Sequence, residues 1–261
     1  MALRRNQGPG GLDHFAGLQG LALNLVEALE RAGVPVAQDA QELVVVELRH
    51  QHAVEPVDDL VDSGLLRHDS DHPHRLYSVA PDGREVIGES YREGVEYGHG
   101  AGDLEESSEH VLGIALGERH LQRAYVEDGD SPVTEVSPYH EVTVDGTKRR
   151  LDIAGVDADG KVVVAVEVER LNHDHRRAVL EDFDKMAACD VAEAIWVVMT
   201  QADGHNLVDA LYDPVEGDPR LGTTYAQTTP LPQFKFDEPG LTDIYSVEKL
   251  RESVDEDPNS G

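Results

Sequence analysis

Apolar and polar positions along the chain fall into two regimes. In the first hundred residues the pattern is mainly helical. Leu18 to Ala32 (LQGLALNLVEALERA) carries leucines at helical spacing and is ended by Gly33 and Pro35. Ala40 to His52 is expected to form a second helix, with strand as the rival because Val44-Val45-Val46 is β-branched. Glu55 to Ser63 predicts a third helix, with Gly64 as its terminator. Arg67 to His74 has loop composition, Arg75 to Val79 is strand-like, and Pro81-Asp82-Gly83 opens a further turn and helix.

Beyond residue 100 the pattern changes. Asp103 to Arg123 predicts a helix. Leu151 to Val156 and Val162 to Val168 are apolar-rich runs flanking Asp157-Ala158-Asp159-Gly160, the pattern of a β-hairpin. Asp174 to Ala188 predicts a helix and Ala194 to Met199 (AIWVVM) a buried strand. Asn206 to Tyr212 predicts a short helix, Tyr225 to Phe236 a further strand, and Asp255 to Gly261 a disordered acidic tail.

The hairpin is where chemistry enters. A two-residue turn at Asp159-Gly160 pairs Ala158 with Lys161, sets Asp152 opposite Glu167 and Arg150 opposite Glu169. Period-two alternation then puts all four on one face. Like charges facing each other are destabilising, so acids gathered on a valine-rich hairpin call for a compensating cation. Mg²⁺ or Mn²⁺ suits them, because hard divalent ions take carboxylate oxygens. Two other readings stand beside this one. Arg150 neutralises Glu169 on a solvated edge, or a change in turn length scatters the acids to different faces.

With those residues in view, the stretch resembles the PD-(D/E)XK nuclease superfamily, whose fold is restriction-endonuclease-like. That family places an Asp on one core strand and Asp/Glu-x-Lys on the next. Asp152 matches the first acid. Glu167-Val168-Glu169 matches the second element, with Glu169 where Lys is usual. A helix Glu precedes the sheet in the family, and Glu109 fits it. The resemblance covers roughly Asp103 to Leu211 and implies a catalytic set of Glu109, Asp152, Glu167, Glu169 and Lys185. Of these, Asp152, Glu167 and Glu169 would ligate the ion. The resemblance would have Lys185 stand in for the missing lysine, which some members supply from a neighbouring helix; as an isolated feature it reads more readily as an exposed helix charge beside Glu181 and Asp182.

A second resemblance lies upstream. Leu60-Val61-Asp62-Ser63-Gly64-Leu65-Leu66-Arg67 and Leu76-Tyr77-Ser78-Val79-Ala80-Pro81-Asp82-Gly83-Arg84 are similar to the end of the recognition helix and the wing of a winged helix-turn-helix module. The recognition helix would carry Glu55, Asp58, Asp59 and Asp62, which suits phosphate contact poorly. Arg67, His74 and Arg75 on the wing, with Arg176 and Arg177 near the hairpin, are therefore the candidate DNA contacts. A winged helix that packs on its neighbour or forms a homodimer stands level with one that reads DNA. Tyr139 and His140 line a substrate groove or simply pack.

Composition bounds the rest. The chain has 261 residues and a net charge of -30, from 52 acidic against 22 basic side chains. Only 5 of the cations are lysine. Such dispersed acidity with little lysine is the habit of proteins that work in molar salt, where the Debye length is about 3 Å and self-repulsion is screened. A lone cysteine, Cys189, excludes an internal disulfide. No apolar run reaches the roughly 18 residues a bilayer span needs, and MALRRNQGPGG lacks a signal-peptide core. The expectation is a cytoplasmic, mixed α/β protein without a membrane partner. Its parts are a flexible start (1–16), a winged-helix domain (17–95), a nuclease-like core with a central mixed sheet flanked by helices (103–236) and an acidic tail (237–261). The expected activity is metal-dependent hydrolysis of DNA; the alternative is a catalytically inactive DNA-binding regulator on the same fold.

Overall fold

The computed structural model describes residues 45–48, 53–80, 83, 107–127, 130–170 and 175–255. The chain divides into two compact units, 1–111 and 112–261.

In the first unit, strand β1 (Val45–Leu48) stands where a helix was the first expectation, so the β-branched valines prevail over helical spacing. Helix α1 (Glu55–Asp62) follows, with Val57 and Leu60 buried at one-turn spacing. Gly64, at φ +77, ends it. Arg67 to Ser70 is not the expected loop. It belongs to β2 (Leu66–Ser70), which pairs with β3 (Arg75–Val79) as an antiparallel hairpin. The sheet order is β1-β3-β2, antiparallel throughout. The helices expected at 18–32 and after Gly83 lie outside the described residues, as does the rest of the winged-helix reading that depends on them.

The second unit is a five-stranded mixed sheet, order β4-β5-β6-β7-β8, with helices on both faces. Helix α2 (Ser108–Leu121) leads through a π-helical turn at Gln122–Glu127 to β4 (Val133–Val144), which sequence patterning did not reveal. Then come β5 (Thr147–Asp157), β6 (Val162–Glu169), α3 (His175–Ala188), β7 (Glu193–Val198) and α4 (Gln201–Tyr212). Strand β8 (Asp243–Ser246) and helix α5 (Val247–Asp255) complete the unit. β4, β5 and β6 form an antiparallel meander, and β6, β7 and β8 run parallel.

Two expectations for the C-terminal third are corrected. Tyr225 to Phe236 forms no strand: its aromatic rings pack on one another, Tyr225 stacked on Phe234 at 4.2 Å, and Leu231–Gln233 is a 3-10 turn. The acidic stretch from residue 237 is not a tail throughout. Ile244, Val247 and Leu250 are buried, so the chain from 243 to 255 is a sheet edge and a packed helix.

Strand β6 explains why its sequence is a nearly unbroken run of valine. It lies mid-sheet with both faces covered, the setting in which strands lose polar alternation. One face packs Val179, Phe183 and Met186 of α3 and Leu207, Val208 and Leu211 of α4. The other packs Ile114 and Leu116 of α2 with Val247 and Leu250 of α5. Helix α2 comes unusually close: a Cβ at Gly113 would lie 2.4 Å from Val168 Cγ1, and one at Gly117 2.6 Å from Ile153 Cδ1. Trp196 is fully buried and its indole N–H donates to Gly240 O at 2.9 Å, fastening the C-terminal loop under β7.

The β5–β6 turn differs from the two-residue form expected. Gly160 N–H donates to Asp157 O, Asp157 N–H donates to Lys161 O, and Gly160 takes φ +79, which a residue without Cβ adopts cheaply. A bulge then shifts the register by one. Past it, Gly155 pairs with Val164, Ala154 with Ala165 and Ile153 with Val166, the pairing expected from the sequence. Turn and bulge offset each other.

Candidate active site at the open end of the β5–β6 hairpin

The ladder between β5 and β6 ends at Ile153–Val166. One step beyond it, the Asp152 side chain replaces a backbone partner: Val168 N–H donates to Asp152 Oδ2 at 2.8 Å. The alternation of β5 also breaks here. Leu151 and Ala154 belong to the core beneath α3, whereas Ile153 belongs to the core beneath α2. Asp152 is the point at which the strand changes face; its carboxylate accepts from the β6 backbone, and its charge acts on both Glu167 and Glu169.

Glu167 and Glu169 are both buried, at 4% and 8% exposure. Their neighbour from α3 is Lys185, whose Nζ lies 2.8 Å from Glu167 Oε1. The same ammonium donates to Asp182 Oδ1 at 2.7 Å and to Arg150 O at 2.9 Å. Lys185 is thus enclosed, its side chain 11% exposed, and the surface-charge reading of it is overturned. Lys185 Nζ has three acceptors within hydrogen-bond distance, Arg150 O, Asp182 Oδ1 and Glu167 Oε1, one for each ammonium hydrogen. Glu167 shares this cation with Asp182, so the two carboxylates carry more negative charge than Lys185 balances when both are ionised.

The electrostatics follow from enclosure. Burial, together with the Asp152 charge, raises Glu167 well above the usual carboxylate range against the pull of Lys185. Burial and the charge on Asp182 push Glu169 up to about 8. Burial raises Asp182 as well, with Lys185 opposing. Burial disfavours the Lys185 ammonium, but Glu167 and Asp182 more than offset it and hold its pKa above the usual lysine value. Glu167 and Asp182 therefore share Lys185, and Asp152 and Glu169 add further negative charge nearby, an excess that protons or a metal ion would balance. Donor type and charge suit Mg²⁺ or Mn²⁺. Among the described residues, however, no three His, Cys, Asp or Glu side chains converge into an ion-holding group. The three-carboxylate set of Asp152, Glu167 and Glu169 is therefore not assembled as such; a smaller protein ligand set, completed by water, is what Mg²⁺ ordinarily uses.

The remaining candidates are more scattered. Glu109 lies in the first turn of α2. Arg150, expected opposite Glu169, instead lies over the Tyr139 ring at 5.2 Å, while Arg170 is the cation beside Glu169. Arg177 pairs with Glu216 at 3.1 Å, and the side chain of Arg176 lies outside the described residues. On the first unit, Arg67 pairs with Asp69 at 2.6 Å, and Arg75 with Asp71 and Asp58 at 3.6 and 3.8 Å. His74 is in the segment joining β2 and β3. Asp182 is the member that sequence reasoning missed. The signal was present: Val179, Phe183 and Met186 define the buried stripe of α3, and residue 182 falls on it.

No family model matches the chain, and no curated protein matches it. Among solved structures it is similar to Can2 from Sulfobacillus thermosulfidooxidans, described in complex with cyclic tetra-adenylate, at 11% identity and a TM-score of 0.34. That match covers 91% of this chain and 53% of Can2, so the chain spans about half of that protein's length. Among the described residues no helix is long and apolar enough to cross a membrane.

Proposed function

We propose that this protein is a metal-dependent DNA endonuclease of the PD-(D/E)XK type, acting on branched, foreign or mobile-element DNA in the cytoplasm. The carrying observation is Lys185. The motif on β6 lacks its lysine, and α3 delivers one to 2.8 Å from Glu167, beside Asp152 and Glu169. The element order adds support: a helix, three antiparallel strands with the first acid on the second and Glu-x-Glu on the third, a helix and a parallel strand. In this reading residues 103–236 carry the chemistry and 17–95, with α1 and the β2–β3 wing, engage DNA or a second copy.

Asp152 and Glu167 would hold Mg²⁺ or Mn²⁺, with Glu169 close by. The ion supplies Lewis acidity and lowers the pKa of water. Asp152 is held in place by the Val168 N–H. Lys185 remains an ammonium, so it acts as a fixed positive charge facing the phosphate and not as a base. Glu169 occupies the family's lysine position; burial raises its pKa to about 8, so at neutral pH it is largely protonated until an ion binds beside it, and its proposed role is to orient the attacking water. Glu109 is the proposed holder of solvent around the site.

The second reading is a regulator that retains the fold without cleavage. It is favoured by the enclosure of Lys185 by three acceptors and by the pairing of Arg67 and Arg75 with acids on their own unit. Cleavage of linear, single-stranded, nicked and four-way-junction DNA with Mn²⁺ at molar KCl separates the two. Wild-type cleavage that Glu167→Gln abolishes establishes the enzyme. Binding by both proteins with cleavage by neither selects the regulator.

A further inference from the structure

In the turn before it, α3 offers Lys185 two acids. Glu181 stands four residues back and is exposed, and a Glu–Lys pair at that spacing is the ordinary surface arrangement of a helix. Asp182 stands three residues back, on the stripe of Val179, Phe183 and Met186 that faces the sheet. A helical lysine usually keeps its ammonium in water while its stem covers apolar surface. Lys185 takes the inward course instead. Its Nζ donates to Asp182 Oδ1 at 2.7 Å, and its side chain is 11% exposed against 28% for Asp182.

The three acceptors around the ammonium come from three elements: Asp182 from α3 itself, Arg150 O from β5 and Glu167 from β6. The last two belong to the sheet, and they meet Nζ only once the side chain has turned toward the strands. Asp182 belongs to the lysine's own helix, one turn back, in the direction in which a helical side chain leans. It holds the inward rotamer whatever the sheet carries, and a third acceptor there offsets the rotamer entropy that a lysine loses on enclosure. A lysine on β6 would be aimed by the alternation of the strand. One that arrives from a helix on a flexible four-carbon stem needs a second anchor.

We propose that Asp182 is a positioning residue that commits the Lys185 ammonium to Glu167 and the interior, against the surface pair that Glu181 offers. Asp182 acts through Lys185 and not on the reacting atoms. This deepens the nuclease reading and rests on it for what the placed ammonium does, which is to face the phosphate beside Asp152 and Glu167.

The first measurement reads the place of Lys185 without asking for cleavage. The full chain and its variants are treated in EDTA with an amine-acetylating reagent, and peptide mass spectrometry compares the rate at Lys185 with that at exposed Lys161. Wild type is expected to show Lys185 protected. In Asp182→Ala it should react at the pace of Lys161, and in Asp182→Asn, which keeps an acceptor without the charge, at an intermediate pace. Adding Glu181→Gln to Asp182→Ala removes the surface competitor and should return much of the protection, which a general loosening of α3 would not do. Fluorescence of Trp196, the single tryptophan, shows that each variant is folded. Lys185 as reactive as Lys161 in wild type, as protected in Asp182→Ala as in wild type, or exposed in a way that Glu181→Gln does not reverse overturns the positioning. The second measurement is Mn²⁺-dependent cleavage, where Asp182→Ala should lower kcat on the order of a hundredfold at unchanged KM for DNA, the size of loss when one preorganised donor leaves a site. An unchanged kcat with Lys185 exposed overturns the role in cleavage. If protection follows the prediction but wild type cleaves no DNA, the positioning stands and the nuclease reading falls.

Discussion

Lys185 Nζ and Glu167 Oε1 lie 2.8 Å apart in the interior, joining a helix to the central strand of the sheet. The lysine comes from α3 and the glutamate from β6, with Asp182 and the Arg150 carbonyl completing the ammonium's partners. Removing one member of an enclosed ion pair leaves the other charge uncompensated.

Lys185→Met is therefore expected to destabilise the fold by about 3–5 kcal/mol, the usual cost of breaking a buried pair from one side. Adding Glu167→Gln should restore much of the loss. Urea denaturation of both variants checks this. A single variant as stable as wild type would show that the pair does not hold in solution.

Cation binding should depend on Asp152 and Glu167. Calorimetric titration with Mn²⁺ at high salt is expected to show binding in wild type and its loss in Asp152→Ala. Because burial and Asp182 raise Glu169 to about 8, binding at pH 7 should also release protons. Repeating the titration in buffers of different ionisation enthalpy reads that release directly. Unchanged binding in Asp152→Ala would remove the metal site.

Glu169 gives a signed pH dependence. Its folded pKa lies above its unfolded value near 4.5, so the protonated form favours the fold. Without added metal, that contribution is complete below about pH 4.5 and is lost as pH rises through about 8. The melting temperature of Glu169→Gln should fall less than that of wild type across this window. Parallel curves for the two proteins would place the pH response elsewhere.

Trp196→Ala should cost about 3–5 kcal/mol, as large-to-small changes at fully buried aromatic positions do. It also leaves Gly240 O without its indole donor. Chemical denaturation measures the loss, and limited proteolysis should show the 213–242 loop cut earlier than in wild type. A cost below about 1 kcal/mol would mean the site collapses around the deletion.

The sequence by itself determined the elements whose cause is local. The valines of β6, the apolar stripe of α3 and the Asp-Gly turn need only near neighbours to declare themselves, and they placed the carboxylates of 152, 167 and 169 at one end of a hairpin. Strand β4 was not legible, because among the described residues it is an edge strand of the sheet and it carries Pro138, so its residues lack the continuous apolar pattern of a buried strand. Helix α5 was obscured by acidic side chains around the few apolar positions that pack, Val247 and Leu250. What only the tertiary structure decided is the company each charge keeps. Lys185 and Asp182 reach Glu167 across a strand–helix contact, and Asp152 accepts from the β6 backbone where the ladder ends. Both depend on the packing of α3 against the sheet. A one-dimensional pattern records that a helix has a buried face; which buried oxygen its lysine meets is settled by three-dimensional register, at the scale of a hydrogen bond.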